Sequence, residues 1–573
     1  MACACAVCRG QVTVIEDGGI PDATASYLNA AERLGASVNG KQSFTIDRAG
    51  LQMTGFDPDT MEPAPGWGGI AGQAFTVTYA FRANAPQTMP SDTEGFQRFN
   101  AAQIVQAEQA LLAWSDVANI TFVRVGSGST SEFAYSDQAA ILFGNYSSGE
   151  GGSAAFANYP GSTAAFSSAG DVWVNITAGS NAIPSAGNYG GHVLLHEIGH
   201  AIGLAHPGAY NASEGESITY MSDAEYYEDT RQYTVMSYFS ETNTGANYTG
   251  RYAAAPQLDD IRAAQIEYGA NMSTRTGDTV YGFNSNAGRS WYSATSSSSK
   301  VVFAVWDGGG RDTLDFSGFS QAARIDLREG HFSNVGGLVG NVAIAQGARV
   351  ENAVGGLGAD TLSGNALDNQ LSGNNGADSV AAGAGNDSID GGSGTNYLRG
   401  DEGNDSIVGG AGFDDINGNM GNDTCVSGGD DDWVVGGKDN DSLVGSAGTN
   451  LVYGNLGNDT LDGGAGNDTV RGGQDNDTLS GGAGDDFMSG DRGDDTMTGG
   501  AGADLFHSFG DAGLDRVLDF NLAEGDRVLL DPGTQFTVSQ AGADTLISMT
   551  GGGQVVLVGI SMDALGSGWI FGA

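Results

Sequence analysis

Between Gly355 and His507 an apolar residue returns every nine positions, from Leu362 through Cys425 to Phe506. The period never slips across residues 355–507, which hold 153/9 = 17 consecutive units. Each unit approximates G-G-x-G-x-D-x-U-x, where U is the apolar residue, as in Gly463-Gly464-Ala465-Gly466-Asn467-Asp468-Thr469-Val470-Arg471. One U residue per unit suits a short strand that turns a single side chain inward between stacked coils. The glycines permit tight turns at positive φ. Earlier in the chain the pattern is different. Ile104, Val105, Ala110, Leu111, Leu112 and Trp114 predict a long helix over 99–115, and Val193, Leu194, Leu195 and Ile198 predict another. Residues 25–34 read as a short helix. Strands are predicted over 119–125, 139–143 and 171–175, and again over 526–530 and 554–558. The expectation is an α/β domain followed by an all-β parallel β-roll with a C-terminal β-sandwich-like cap.

The sixth position of the repeat adds chemistry. It is Asp in 14 units: Asp360, Asp378, Asp387, Asp405, Asp414, Asp423, Asp432, Asp441, Asp459, Asp468, Asp477, Asp486, Asp495 and Asp504. Asn369, Asn396 and Asn450 fill the other three. Carboxylates at one fixed phase, together with turn carbonyls such as those of Gly356 and Gly358, form oxygen cages suited to Ca²⁺. A metal-free β-helix would not need Asp at that phase. The three Asn units offer a neutral oxygen, which weakens the cage. Cys425 stands at a U position and reads as a small buried hydrophobe.

Composition narrows the partners. The chain has 573 residues, with 94 Gly and 11 Pro, too long for one ordinary domain. Lys+Arg number 23 against 69 Asp+Glu, a formal charge of −46, which argues against nucleic acid or an anionic membrane as partner. No apolar run is long enough for a transmembrane helix. The first residues lack a basic leader with a long apolar core, so no Sec signal peptide is expected. Of four Cys, Cys3, Cys5 and Cys8 crowd the N-terminus and Cys425 stands alone, so no disulfide framework is available.

The second predicted helix carries His196-Glu197-Ile198-Gly199-His200-Ala201-Ile202-Gly203-Leu204-Ala205-His206, which reads H-E-x-x-H-x-x-G-x-x-H. Residues i and i+4 share a helix face, so His196 and His200 can hold one Zn²⁺ between them. Glu197 sits beside them and can act as a general base. Gly203 can end the helix in a left-handed conformation and let the chain deliver His206 as a third ligand. Three protein ligands leave a position open, the arrangement of a catalytic zinc. His192 lies one turn earlier and reads as a neighbour of the site. His331 and His507 show no partner pattern.

The motif, followed by Val235-Met236-Ser237-Tyr238, resembles the metzincin metalloproteases and, within them, the serralysins. Further segments carry the same resemblance: Asn39–Phe44, Ala113–Phe122, Tyr226–Tyr233 and Asp278–Asn286. The resemblance implies a zincin-like α/β catalytic domain with Met236 as an apolar floor beneath the metal. It implies Tyr238 as an auxiliary zinc ligand and catalytic residue. An edge strand that takes substrate by backbone pairing is then expected within 133–146. The loop Asp307-Gly308-Gly309-Gly310-Arg311-Asp312 would bind calcium through Asp307, Gly309, Gly310 and Asp312 with Arg275, Gly277 and Thr279. Glu351 matches a further calcium residue of the family, with Arg349 where Thr is usual. The N-terminal helix would pack against the C-terminal domain.

The expected division is a pro-segment (1–20), a zinc metalloprotease domain (21–260), a β-rich connection with a calcium site (261–354), the β-roll (355–507), and a β cap with secretion signal (508–573). The expected protein is a secreted, monomeric zinc endopeptidase of a Gram-negative bacterium, folded by several Ca²⁺ ions, exported by type I secretion machinery, and acting on proteins and peptides. A thiolate from Cys3, Cys5 or Cys8 could cap the zinc as a zymogen switch, although the family does not generally work that way. Two alternatives stay open at this point: a protease anchored at a cell surface by its long array, and an inactive surface or matrix protein.

Overall fold

The computed structural model describes residues 27–33, 35, 37–64, 66–90, 93–149, 154–160, 169–210 and 218–572. The suggested thiol switch and the pro-segment lie outside the described residues. The chain separates into two compact units. The first holds the described residues up to Leu314 together with Leu327–Val350; the second holds Asp315–Asp326 and the chain from Glu351 on.

In the first unit the helices are α1 (Ile46–Met53), α2 (Ala101–Val117), α3 (Tyr189–Ala201), α4 (Tyr220–Asp223) and α5 (Leu258–Tyr268). α2 starts where Asn100 accepts from Gln103 N and the Gln103 side chain returns the bond to Asn100 N. It buries Ile104, Ala107, Leu111 and Trp114, and its Trp114 indole donates to Leu195 O of α3 at 3.0 Å. A five-stranded sheet has the order Ile120–Arg124, Phe75–Phe81, Ile141–Tyr146, Val172–Asn175, Ala155–Ala157. The first four strands are parallel and the last is antiparallel.

Two expectations need correction. Ile141–Tyr146 is a central strand, buried at every position and paired on both sides. Its backbone groups are already used, so it cannot be an edge that receives substrate. The edge next to α3 is Ala155–Ala157. The helix over 25–34 is, among the described residues, one 3₁₀ turn at Ala30–Glu32. Leu28 spends both backbone groups on the Tyr233 hydroxyl, which leaves no helical ladder for it to join. The segment docks within the first unit, with Asn29 Oδ1 accepting from Phe332 N and Tyr27 donating to Asn334.

The second unit is the expected parallel β-roll. Strands of alternate nonapeptides fall in two sheets of 15 and 12 strands. One turn takes two units, or 18 residues, as the registers Ile389↔Ile407 and Leu398↔Ile416 show. The U residues stack inward; Ile407, Ile416, Cys425 and Val434 are fully buried. Past His507 both sheets continue through the C-terminal strands, where Phe536–Ala541, Asp544–Met549 and Gln554–Leu557 pair antiparallel.

Candidate metal centre

Asn188 caps α3 by accepting from Gly191 N at 2.8 Å. The helix is buried from Gly190 to Ala201. It ends as expected: Leu204 N bonds back to Gly199 O and Gly203 takes φ +115°. The chain then reverses, and His206 returns to the face that holds His196 and His200.

Each imidazole is held at Nδ1 by a backbone carbonyl. His196 meets Val235 O at 2.8 Å, His200 meets Leu204 O at 2.6 Å, and His206 meets Tyr210 O at 3.0 Å. A carbonyl only accepts, so each Nδ1 carries the proton and each Nε2 presents a lone pair. The three Nε2 atoms converge: His206 lies 3.1 Å from His200 and 3.2 Å from His196. Tetrahedral ligands at 2.0–2.1 Å from one zinc ion sit about 3.3 Å apart. Three lone pairs facing one point repel unless a cation lies between them, so the site fits zinc. Burial pushes the His196 pKa down to about 4 and that of His200 well below its usual value, which keeps both neutral and ready to ligate.

Glu197 is buried beside this point, and its Oε2 has no hydrogen-bond partner among the described residues. Burial raises its pKa to about 8 in the metal-free fold. The Tyr238 ring lies 4.4 Å from that of His206 and 5.8 Å from that of His196, and is partly exposed. Met236 is fully buried under α3; a Cβ on Gly199 would stand 2.5 Å from its sulfur, so the floor requires glycine above it. His192 stays outside the triad, 6.2 Å between its ring and that of His196 and 5.1 Å from that of Tyr252.

Several residues around the site carry no sequence signal. Tyr159 follows the edge strand Ala155–Ala157 and brings its ring to 5.5 Å from that of His200. Tyr210 stacks on His206 at 5.4 Å and donates its hydroxyl to the buried Asp229 at 2.7 Å. Only the folded turn shows that Val235, Leu204 and Tyr210 orient the triad.

The expected calcium residues also meet. The loops at 274–279 and 307–312 are joined by Thr279 N to Asp312 Oδ1 at 2.8 Å, Arg311 N to Asp278 Oδ1 at 2.9 Å and Gly308 N to Thr274 O at 2.8 Å. Asp307 accepts from Gly309 N and from the Tyr281 hydroxyl. The Arg275 guanidinium donates to Asp116 at 2.9 Å and lies 3.9 Å from Asp307 of the loop. Glu351 accepts at its carbonyl from Gln370 N and Asn369 Nδ2.

In the roll, each sixth-position Oδ1 from Asp378 to Asp504 accepts a backbone N–H from 18 residues earlier, as from Asp360 to Asp378 and from Asp441 to Asp459. The Oδ2 atoms of all these aspartates except Asp360 are buried without a hydrogen-bond partner among the described residues. Asp360 Oδ2 accepts from Gly356 N. Buried carboxylate oxygens with nothing to accept from demand a cation, and hard oxygen ligands suit Ca²⁺. Without it, burial, aided by neighbouring aspartates, pushes Asp441 and Asp477 up to about 8.

Comparison with known proteins agrees with this chemistry. The family model for Metallo-peptidase family M12 matches residues 81–248 and that for Peptidase M10 serralysin C terminal matches 270–407. The RTX calcium-binding nonapeptide repeat matches five stretches between residues 390 and 506. The chain is 48% identical to Metalloprotease AprA of Pseudomonas entomophila over 354 residues, 60% of this chain and 69% of that protein. It is 49% identical to Serralysin A of Dickeya chrysanthemi over 344 residues, 60% of this chain and 68% of the relative. Serralysin C of the same organism is 48% identical over 330 residues, 57% of this chain and 66% of the relative. The likeness thus spans the histidine motif and reaches into the same calcium repeat, and the chain belongs to the serralysin family of calcium-binding zinc metalloproteases.

Proposed function

We propose that this protease is a secreted endopeptidase in which His196, His200 and His206 hold the zinc and Glu197 moves the proton. The observation that carries the reading is the convergence of three Nε2 lone pairs beside a buried, unpartnered carboxylate. Zinc, when bound, supplies a Lewis acid that polarises the scissile carbonyl and makes a coordinated water more acidic. Glu197 Oε2 is free to accept a proton from the attacking water and to hand it to the leaving amide nitrogen. Tyr238, whose ring lies beside those of His206 and His196, is in this reading the donor to the oxygen that becomes negative. Ala155–Ala157 is the last strand of its sheet on the α3 side, where an extended substrate would lie, and Tyr159 follows it towards His200.

The supporting parts follow from the same geometry. Calcium at the 307–312 loop and along the roll, including Gly356, Gly358 and Glu351, neutralises carboxylates that otherwise repel. An array that folds only in millimolar calcium stays extended in the cell and folds after one-step export, consistent with the charge of −46. The five-part division of the chain, with a removable pro-segment, belongs to this proposal.

Retention at a surface is a second reading, favoured by one asymmetry. All four cations of the repeats (Arg399, Lys438, Arg471, Arg492) lie in strands of the 12-stranded sheet. The same sheet carries Tyr397 and Trp433, both about half exposed. Cell fractionation with and without chelator separates bound from free enzyme.

The test of the main reading is casein hydrolysis after chelation, with Zn²⁺ and Ca²⁺ restored separately, for wild type and Glu197→Gln. Both ions are expected to be needed, and the variant is expected to keep zinc without turnover. Activity of Glu197→Gln within tenfold of wild type overturns the mechanism.

A further inference from the structure

We propose that Asp260 is a positioning residue for the metal site, acting on His196 through Val235; this rests on the zinc reading above. The three ligands are not held alike. His200 and His206 take their carbonyls from Leu204 and Tyr210, four residues further along their own segment. His196 takes its carbonyl from Val235, 39 residues away. The orientation of that ring therefore depends on how firmly a separate turn is held against α3.

Asp260 holds it. Its carboxylate is fully buried in the first turn of α5. Oδ2 accepts from Val235 N at 2.8 Å and from Gln257 N at 2.8 Å, and Oδ1 accepts from the Thr234 hydroxyl at 2.6 Å. Thr234 Oγ1 in turn accepts from Met236 N at 2.9 Å. Val235 is thus gripped on both sides: its N–H by Asp260 and its carbonyl by His196. The first turn of a helix favours a carboxylate and gives it a rigid mounting. Asp260 holds the peptide before Val235 directly, through Val235 N, and the peptide that carries the Val235 carbonyl through Thr234, whose hydroxyl donates to Asp260 and accepts from Met236 N; the side chain on α5 thus steadies the carbonyl that fixes the tautomer and direction of the His196 ring. Outer partners of this kind govern ligand orientation and metal affinity.

The experiment uses the full chain in saturating calcium. Zinc dissociation constants are measured by chelator competition, and the visible spectrum is recorded after cobalt substitution. Asp260→Ala is expected to weaken zinc binding by about 10–100-fold and to shift the cobalt bands. Asp260→Asn keeps an acceptor oxygen for Val235 N and is expected to restore most of the affinity. A purely structural role would lower the melting temperature and leave both metal readouts unchanged; that result overturns the proposal. If Asp260→Ala does not fold, Thr234→Val removes one bond of the same set, and an unchanged zinc affinity and cobalt spectrum there overturns it equally. His196→Ala serves as the control. Wild-type zinc affinity in that variant would refute the histidine site itself, whereas a weakened control beside an unaffected Asp260→Ala refutes only the role of Asp260.

Discussion

Arg33 grips Asp259 with two nitrogens, at 2.7 and 2.9 Å, and both side chains are sealed from solvent. The Arg33 Nε donates to Phe44 O, and Glu228 lies 3.7 Å away. A single buried cation thus ties the N-terminal segment to the first turn of α5. Breaking such a pair by removing one partner costs about 3–5 kcal/mol, because the other charge stays buried. Arg33→Leu is therefore expected to lower stability by that amount, read as a shift in urea midpoint with both ions saturating. Arg33→Leu combined with Asp259→Leu should recover most of the loss. A double variant as unstable as the sum of the singles would show that the pair is not the cause.

Gly199→Ala sets two effects against each other. Helix propensity alone would stabilise the change by about 1 kcal/mol. The added methyl would stand 2.5 Å from Met236 Sδ and 3.1 Å from Trp114. Overpacking of this kind costs about 1–3 kcal/mol, so the steric term should win. Thermal melting of the zinc-loaded protein is expected to show a net loss, and a gain would mean that Met236 moves aside freely.

Tyr238→Phe removes a hydroxyl from a ring 4.4 Å from His206. If the hydroxyl serves the developing oxyanion, the rate should fall by about 10²–10³ with zinc retained. Stoichiometric zinc analysis beside kinetics checks this. Loss of the metal would make Tyr238 a principal ligand.

The roll should bind calcium in competition with protons. Its aspartates ionise near pH 4 in the unfolded chain, but burial raises Asp387 and Asp414 to about 7 and Asp441 and Asp477 to about 8 in the ion-free roll. A raised folded pKa contributes stability that is complete below about pH 4 and is lost as pH rises through about 7–8. In chelator, β structure by circular dichroism should therefore increase on acidification from pH 8. Calcium needs the ionised carboxylates, so its folding midpoint should move to higher concentration between pH 8 and pH 6. A midpoint indifferent to pH over that range would contradict the cage chemistry.

Local spacing alone determined the metal motif and the roll. A ligand pair at i and i+4 is a property of one helix, and a nine-residue period repeats one strand and one turn, so His196, His200 and the buried column through Cys425 were legible without a partner. Tertiary structure decided the rest. Ile141–Tyr146 became a central strand because crossovers set sheet order, which no local pattern records. The described residues of the expected helix, 27–33, form only one 3₁₀ turn because Tyr233, 205 residues from Leu28, took the backbone groups that a helix needs. The turn that aims His196 is fixed by Asp260, whose carboxylate reads in sequence as an ordinary acidic residue near a helix start. Periodicity encodes which face of an element is buried; which distant atoms satisfy its hydrogen bonds is settled only when the elements pack.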